Sequence, residues 1–308
     1  MPSSRFRWSL SLPVAALAVA AAVVVPGMSR PVTLDAAQAN QRSLTVGILD
    51  RADAPVAALT AADVIVREDG VAREIVRVSP APPPTDLVLL IDDSQAAAQN
   101  LRDLREALNG FVNAVADLTP PPAVRLTTIG DRPTVLVDFN PTFSAVSRGI
   151  DRIATRPGSG TTLLEAIDES TRALERRKAA RPVIVAFINE GGPEFGNLRH
   201  TNIATALQRA NASLWTIVLT QRGGGGSSDA ERERDMVLGD VTRQSGGRNQ
   251  QILASQNIPG AFEKLAAQLL SRWDITYGRP DTLIPPSTLE IQARDTSLQV
   301  LAPRWAGR

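Results

Sequence analysis

No cysteine occurs in the 308 residues, and there is a single histidine, His200. The first absence excludes disulfides, thiolate metal sites, cysteine nucleophiles and lipid attachment at an N-terminal cysteine. The second excludes clusters of histidine ligands and most histidine-based triads. A charge imbalance is also missing, with 33 Lys+Arg against 32 Asp+Glu, so nothing argues for nucleic acid or an anionic membrane surface as partner. Ser94 lacks the G-x-S-x-G turn that a hydrolase nucleophile needs. The glycines from Gly223 lie in no strand–GxGxxG–helix context and precede no GK[ST], so they form no phosphate loop. Asp92 begins no Asp-x-Asp-x-Thr sequence, and no suitably placed lysine would serve a phosphoryl acceptor. What remains is ordinary globular material, 43% hydrophobic and 21% charged, long enough for one large domain or two smaller ones.

The first residues read as a targeting segment. Arg5 and Arg7 precede an apolar run from Leu10 to Val25, broken only by Ser11 and Pro13, and Pro26-Gly27 ends it. The run is short for a bilayer span, which needs about 20 residues, and it suits a signal peptide. Ala37-Gln38-Ala39 offers a cleavage site, which makes residues 1–39 a leader; an uncleaved signal anchor is the alternative. Nothing later in the chain is apolar enough to span a membrane.

Residues 43–78 carry β patterning. Leu44 to Asp50 alternates with period two. Val64 to Glu68 and Glu74 to Val78 flank Asp69-Gly70, a hairpin signal because both turn residues must accept positive φ. So small a unit needs something to pack on. Residues 79–85 are a proline-rich linker.

From Asp86 to Trp273 strands alternate with helices. Asp86 to Ile91, Pro182 to Ile188 and Ser213 to Leu219 are apolar at nearly every position, as expected of strands covered on both faces. Between them lie helices from Leu101, from Phe143, over Leu163 to Arg177 and from Thr201, with further helices near Asp229 to Gln244 and Pro259 to Trp273. Val124 to Ile129 and Thr134 to Phe139 are too close for a parallel crossover and form an antiparallel pair. The pattern predicts an α/β fold with an open, doubly wound, mostly parallel six-stranded sheet. The tail, residues 274–305, returns to β patterning and is expected to pack with the N-terminal β unit.

Three loops then fall at one edge of that sheet, where α/β proteins gather their ligand sites. Asp92 and Ser94 follow the first sheet strand, Thr161 precedes a helix, and Glu190 follows the fourth strand. Carboxylate and hydroxyl oxygens suit a hard cation, Mg²⁺, Mn²⁺ or Ca²⁺, rather than zinc or copper. The plainer reading makes Asp92, Ser94 and Thr161 helix caps. His200 reads as a surface or cap residue and Trp215 as core. The runs Glu175 to Lys178 and Glu231 to Arg234 read as solvated helix faces.

The motifs resemble those of von Willebrand factor type A proteins, in particular bacterial exported ones with short β flanks. That family's metal-ion-dependent adhesion site is Asp-x-Ser-x-Ser after the first strand, a Thr in a Gly-rich loop and an Asp after the fourth strand. Asp92-Asp93-Ser94-Gln95-Ala96 matches the Asp and the first Ser, and Ala96 replaces the second. Gly160 to Ile167 resembles the Thr loop and puts the ligand hydroxyl on Thr161. Ile188-Asn189-Glu190-Gly191 stands at the Asp position, with Glu190 in its place. Leu59 to Gly70 resembles the segment that precedes the domain in the bacterial proteins. The resemblance implies a non-enzymatic, exported protein-binding module, periplasmic or extracellular. A cation on Asp92, Ser94, Thr161 and Glu190 would engage a partner's carboxylate. The alternatives are a metal-free scaffold and a metal-assisted hydrolase or phosphotransferase.

Overall fold

The computed structural model describes residues 41–220, 228–279 and 286–305. The expected leader and nearly all of the glycine insert lie outside them. Among the described residues no helix is long and apolar enough to cross a membrane.

The centre of the fold is a six-stranded sheet. Its strands are β5 (Asp86–Ile91), β6 (Ala123–Thr128), β7 (Thr134–Asn140), β8 (Pro182–Asn189), β9 (Ser213–Leu219) and β10 (Asn249–Ile252). Their spatial order is β10-β9-β8-β5-β6-β7. Only β6 and β7 run antiparallel, as their short connection requires. The chain leaves β5 toward β6 on one side and later returns to add β8 on the other, so the order reverses between β5 and β8. In open α/β sheets such a reversal is where ligand crevices form, above the carboxyl ends of the strands. The expected fold class holds.

Every residue of β5 and of β8 is buried, which explains why both read as unbroken apolar runs. Helices cover both faces. On one face, α1 (Leu101–Ala116) presents Leu104, Leu108, Phe111 and Val115 at 3–4 spacing, and α2 (Phe143–Asp151) packs beside it. On the other, α3 (Leu163–Arg177) and α4 (His200–Ala210) bury Leu164, Ile167, Ile203 and Leu207. Trp215 in β9 is 1% exposed and is core, as its place in a buried strand implies. The helical pattern after Ser228 divides into α5 (Asp229–Met236), a π turn over Val237–Val241 and α6 (Thr242–Gln244). Helix α7 (Ile258–Leu270) completes the layer beside α1, where Phe262 meets Phe111 edge-on with ring centroids 5.7 Å apart.

The flanking strands form two small antiparallel sheets. β1 (Gln41–Leu49) lies between β13 (Gln299–Leu301) and β11 (Trp273–Gly278), and β11 also pairs β4 (Ile75–Pro80). The other sheet is β12 (Leu289–Ala293), β2 (Val64–Glu68) and β3 (Val71–Arg73). Asp69 and Gly70 take φ of 49° and 79° at a tight turn, but the strand after the turn is β3 rather than β4. Expecting Glu74 to Val78 as the hairpin partner was therefore wrong. The chain pairs for three residues and then crosses to β11, while β12 covers the other edge of β2.

Candidate functional site

At the carboxyl end of β5 the chain turns so that Asp92, Asp93 and Ser94 are all buried. Asp93 has a structural task. Its Oδ1 accepts the Gly130 N–H at 2.6 Å and its Oδ2 the Arg156 Nε at 3.0 Å, tying the β5 loop to the loops after β6 and before α3. Gln95 adds a second tie, accepting the Gly158 N–H at 2.7 Å.

Asp92 is fully buried, and burial pushes its carboxyl above the usual range against the pull of hydrogen bonds from Ser94 and Asn189. Oδ2 accepts both the backbone N–H and the Nδ2 of Asn189, at 2.8 and 2.9 Å, which occupies both of its lone pairs. Oδ1 accepts only the Ser94 N–H at 2.8 Å and keeps one acceptor direction free. Asn189 is fixed in turn by Asn100, whose Nδ2 donates to its Oδ1 at 2.5 Å. The carboxylate is thus held by β5, β8 and the residue before α1 together.

The capping explanation fails for both hydroxyls. Ser94 precedes a 3-10 turn over Gln95–Gln99 without its side chain bonding any backbone N–H, and its buried Oγ makes no well-formed hydrogen bond, although it lies close enough to the Asp92 carboxylate to favour that group's charged form. Thr161 Oγ1 donates across the crevice to Glu194 Oε2 at 2.8 Å. Thr162, the residue at the start of α3, donates to the Ile129 carbonyl instead of capping the helix.

The loop after β8 closes the crevice. Thr161 and Glu194 form an isolated parallel bridge, with the Thr161 N–H donating to the Pro193 carbonyl at 2.7 Å. Two glycines permit this approach. A Cβ on Gly160 would lie 2.4 Å from the Pro193 oxygen, and one on Gly192 would lie 3.3 Å from Ser94 Oγ. Asp92, Ser94 and Thr161 therefore meet around residues 189–194. Glu190 lies half-buried at the start of that loop, its N–H bonded to the Leu219 carbonyl and its Oε2 without a partner. The carboxylate that reaches Thr161 is Glu194, four residues further on.

Glu194 was missed in the sequence because the loop's path, not strand periodicity, decides which of its carboxylates turns inward. It is 4% exposed, and burial lifts its pKa to about 7, opposed by the Thr161 hydrogen bond and the Arg234 charge. Its Oε1 has no partner. Arg234 corrects a second expectation. It is no solvated helix-face residue but is 4% exposed, and its Nη1 donates to the Gly192 carbonyl at 2.9 Å. The preceding Glu233 accepts from His200 at 2.6 Å, pinning α5 to the start of α4. Helix α5 thus braces the back of the loop that carries Glu194.

Residues 87–193 match the family model of the von Willebrand factor type A domain. The chain carries a von Willebrand factor type A domain. The matched span contains Asp92, Ser94, Thr161 and Glu190, and it ends one residue before Glu194. Von Willebrand factor A domains generally mediate protein–protein interaction, for the most part without enzymatic activity, and often bind Mg²⁺ or Mn²⁺. No curated protein matches the chain. Similar solved structures include the human COPII-coat protein Sec24c, with 11% identity, TM-score 0.46, and coverage of 72% of this chain but 42% of that one. BatB from Bacteroides thetaiotaomicron shows 12% identity and TM-score 0.45, over 61% of this chain and 100% of that one. Manganese-loaded TRAP from Plasmodium vivax shows 15% identity and TM-score 0.45, over 71% and 97%.

Among the described residues no three or more His, Asp or Glu side chains gather as a metal-holding group. The oxygens with unused acceptor capacity around the crevice include Asp92 Oδ1, Ser94 Oγ, the lone pairs of Thr161 Oγ1, Glu190 Oε2 and Glu194 Oε1. Such a set, completed by water, fits a hard divalent cation in donor type.

Proposed function

We propose that this chain is an exported protein-binding module whose von Willebrand factor A domain engages a partner at the crevice above β5 and β8. Asp92, Ser94 and Thr161 would hold a divalent cation there, Mg²⁺ or Mn²⁺, with Glu190 reaching it directly or through water. The cation would supply an electrophilic position for a carboxylate of the partner. Export rests on Arg5, Arg7 and the apolar run from Leu10 to Val25.

The observation that carries the reading is the Ser94 hydroxyl, buried beside the Asp92 carboxylate without a well-formed hydrogen bond. A buried hydroxyl without a partner is destabilising by about 1–3 kcal/mol. It is retained where a ligand uses it.

That singles out the decisive variant. Ser94→Ala removes at most the weak contact of the hydroxyl with the Asp92 carboxylate, so its stability should match the parent within about 1 kcal/mol. Calorimetric titration with Mg²⁺ and Mn²⁺ should give heat with the parent and at least about tenfold weaker binding with the variant. Absence of heat from the parent with either ion, or equal affinity in the two proteins, would sink the cation reading.

One arrangement favours a metal-free second reading. Ala96 offers no hydroxyl, and the buried Arg234 guanidinium already places a positive charge behind Gly192 and Glu194. In that case the same face binds its partner without an ion, and partner capture is unchanged by EDTA.

A further inference from the structure

At the opposite edge of the sheet, the amino ends of β8 and β9 face β1 and β11 across a cleft of about 440 Å³. Its size falls in the range of small-molecule pockets, and its charge is one-sided. Arg42, Arg181, Arg209 and Arg272 line it against a single carboxylate, Asp274. Asp274 already accepts a hydrogen bond from Thr45 Oγ1 at 2.5 Å, and Arg209 is taken by Glu175 at 2.7 Å. The remaining three arginines form no ion pair within 4.0 Å among the described residues.

Arg272 is buried and Arg181 is half-buried. Arg272 is 7% exposed; its Nη2 donates to the carbonyls of Thr45, Gly246 and Leu301, while its buried Nε has no partner. Arg181 gives one Nη1 bond to the Pro82 carbonyl and faces Arg272 closely enough for the two charges to repel. Burial and that repulsion pull Arg272 down to about 10 against the attraction of Asp274. Asp274 attracts both Arg181 and Arg272, but one carboxylate faces several guanidinium groups. Buried or half-buried cations in excess of their counter-ions are costly, and an anion would relieve the excess.

We propose that this cleft binds a small organic anion, a carboxylate or phosphate head on an apolar or aromatic body. The head sits between Arg181, whose planar fork matches such groups, and the positive charge of Arg272, whose Nη2 is already held by three carbonyls. The body lies along Leu44 and the Trp305 ring, which line the same cleft. The site is independent of the crevice above β5, because it occupies the other end of the strands.

Thermal unfolding of the full chain with four probes tests it. Phenyl phosphate and benzoate should each raise the unfolding temperature by mass action, and neutral benzyl alcohol should not. Inorganic phosphate should bind more weakly than phenyl phosphate. Arg181→Gln and Arg42→Gln should each weaken phenyl phosphate by about tenfold. Arg42 is exposed and bonds only the neighbouring Gln41 carbonyl, so its replacement leaves the fold intact even if loss of the Arg181–Pro82 contact loosens the linker. An equal response to benzyl alcohol would overturn the role of charge. Inorganic phosphate binding as tightly as phenyl phosphate would overturn the apolar half. Unchanged affinity in both variants would overturn the location.

Discussion

At pH 8 in metal-free buffer, Glu194→Gln should unfold later than the parent by about 3 kcal/mol, and at pH 4 the two should coincide. The sign follows from burial. Glu194 titrates near 7 in the folded protein against an ordinary value of 4.5, so the folded state holds its proton more tightly than the unfolded chain does. Below about 4.5 both states are protonated and the group is neutral to stability. Between that pH and 7 the unfolded chain gives up its proton while the folded one keeps it, and stability falls as pH rises. Above 7 the full penalty of a buried carboxylate applies. Glutamine carries no charge and can still accept the Thr161 hydrogen bond, so the variant should lose this slope. Denaturant unfolding at half-unit steps from pH 4 to 8 measures it; parallel curves for both proteins would show that Glu194 ionises freely.

A larger effect is expected at a position with no part in binding. Gly247→Ala should destabilise the protein by more than about 4 kcal/mol, among the most damaging single substitutions available. A Cβ there would lie 1.7 Å from the Leu214 carbonyl oxygen. Neither side can yield. Strand β9 is hydrogen-bonded on both flanks, to β8 and to β10, and the Gly247 segment is fixed by the Leu214 N–H bond to Ser245 Oγ and the Thr216 N–H bond to the Arg248 carbonyl. Chemical denaturation would reveal the loss as a lowered midpoint or an absent transition. Near-parent stability would mean that β9 shifts more easily than its two ladders imply.

The fold was readable because its centre obeys simple rules. β5, β8 and β9 are buried on both faces over nearly their whole length and so are apolar at nearly every step, while α1 and α3 carry their apolar residues at helical spacing. What local pattern could not supply was choice among equivalent partners. β4 has the alternation of a hairpin strand, but its partner is β11, a strand nearly two hundred residues away whose pairing no local pattern announces. The site shows the same division. Asp92, Ser94 and Thr161 stand at strand and helix ends, which periodicity locates. Glu194 and Arg234 depend on how an irregular loop folds back on α5, and a Glu-Arg-Glu-Arg run gives no sign of which arginine turns inward. The nearest available signal was Gly191-Gly192-Pro193, a segment poor in side chains that permits a close approach to Ser94 and Thr161.

Strand β1 has a consequence for the order in which the protein is made. It is the first described strand to be synthesised, yet both of its neighbours, β11 and β13, are among the last. Val46, Ile48 and Leu49, all buried in the finished fold, have no sheet partner until residues 273–301 exist. Closing so long a loop is slow relative to the local contacts of α1 or α3. The central sheet can therefore assemble while β1 still waits with both edges open, a state prone to pairing with other chains. Ribosome-bound chains ending before residue 273 would be the ones to find in that condition.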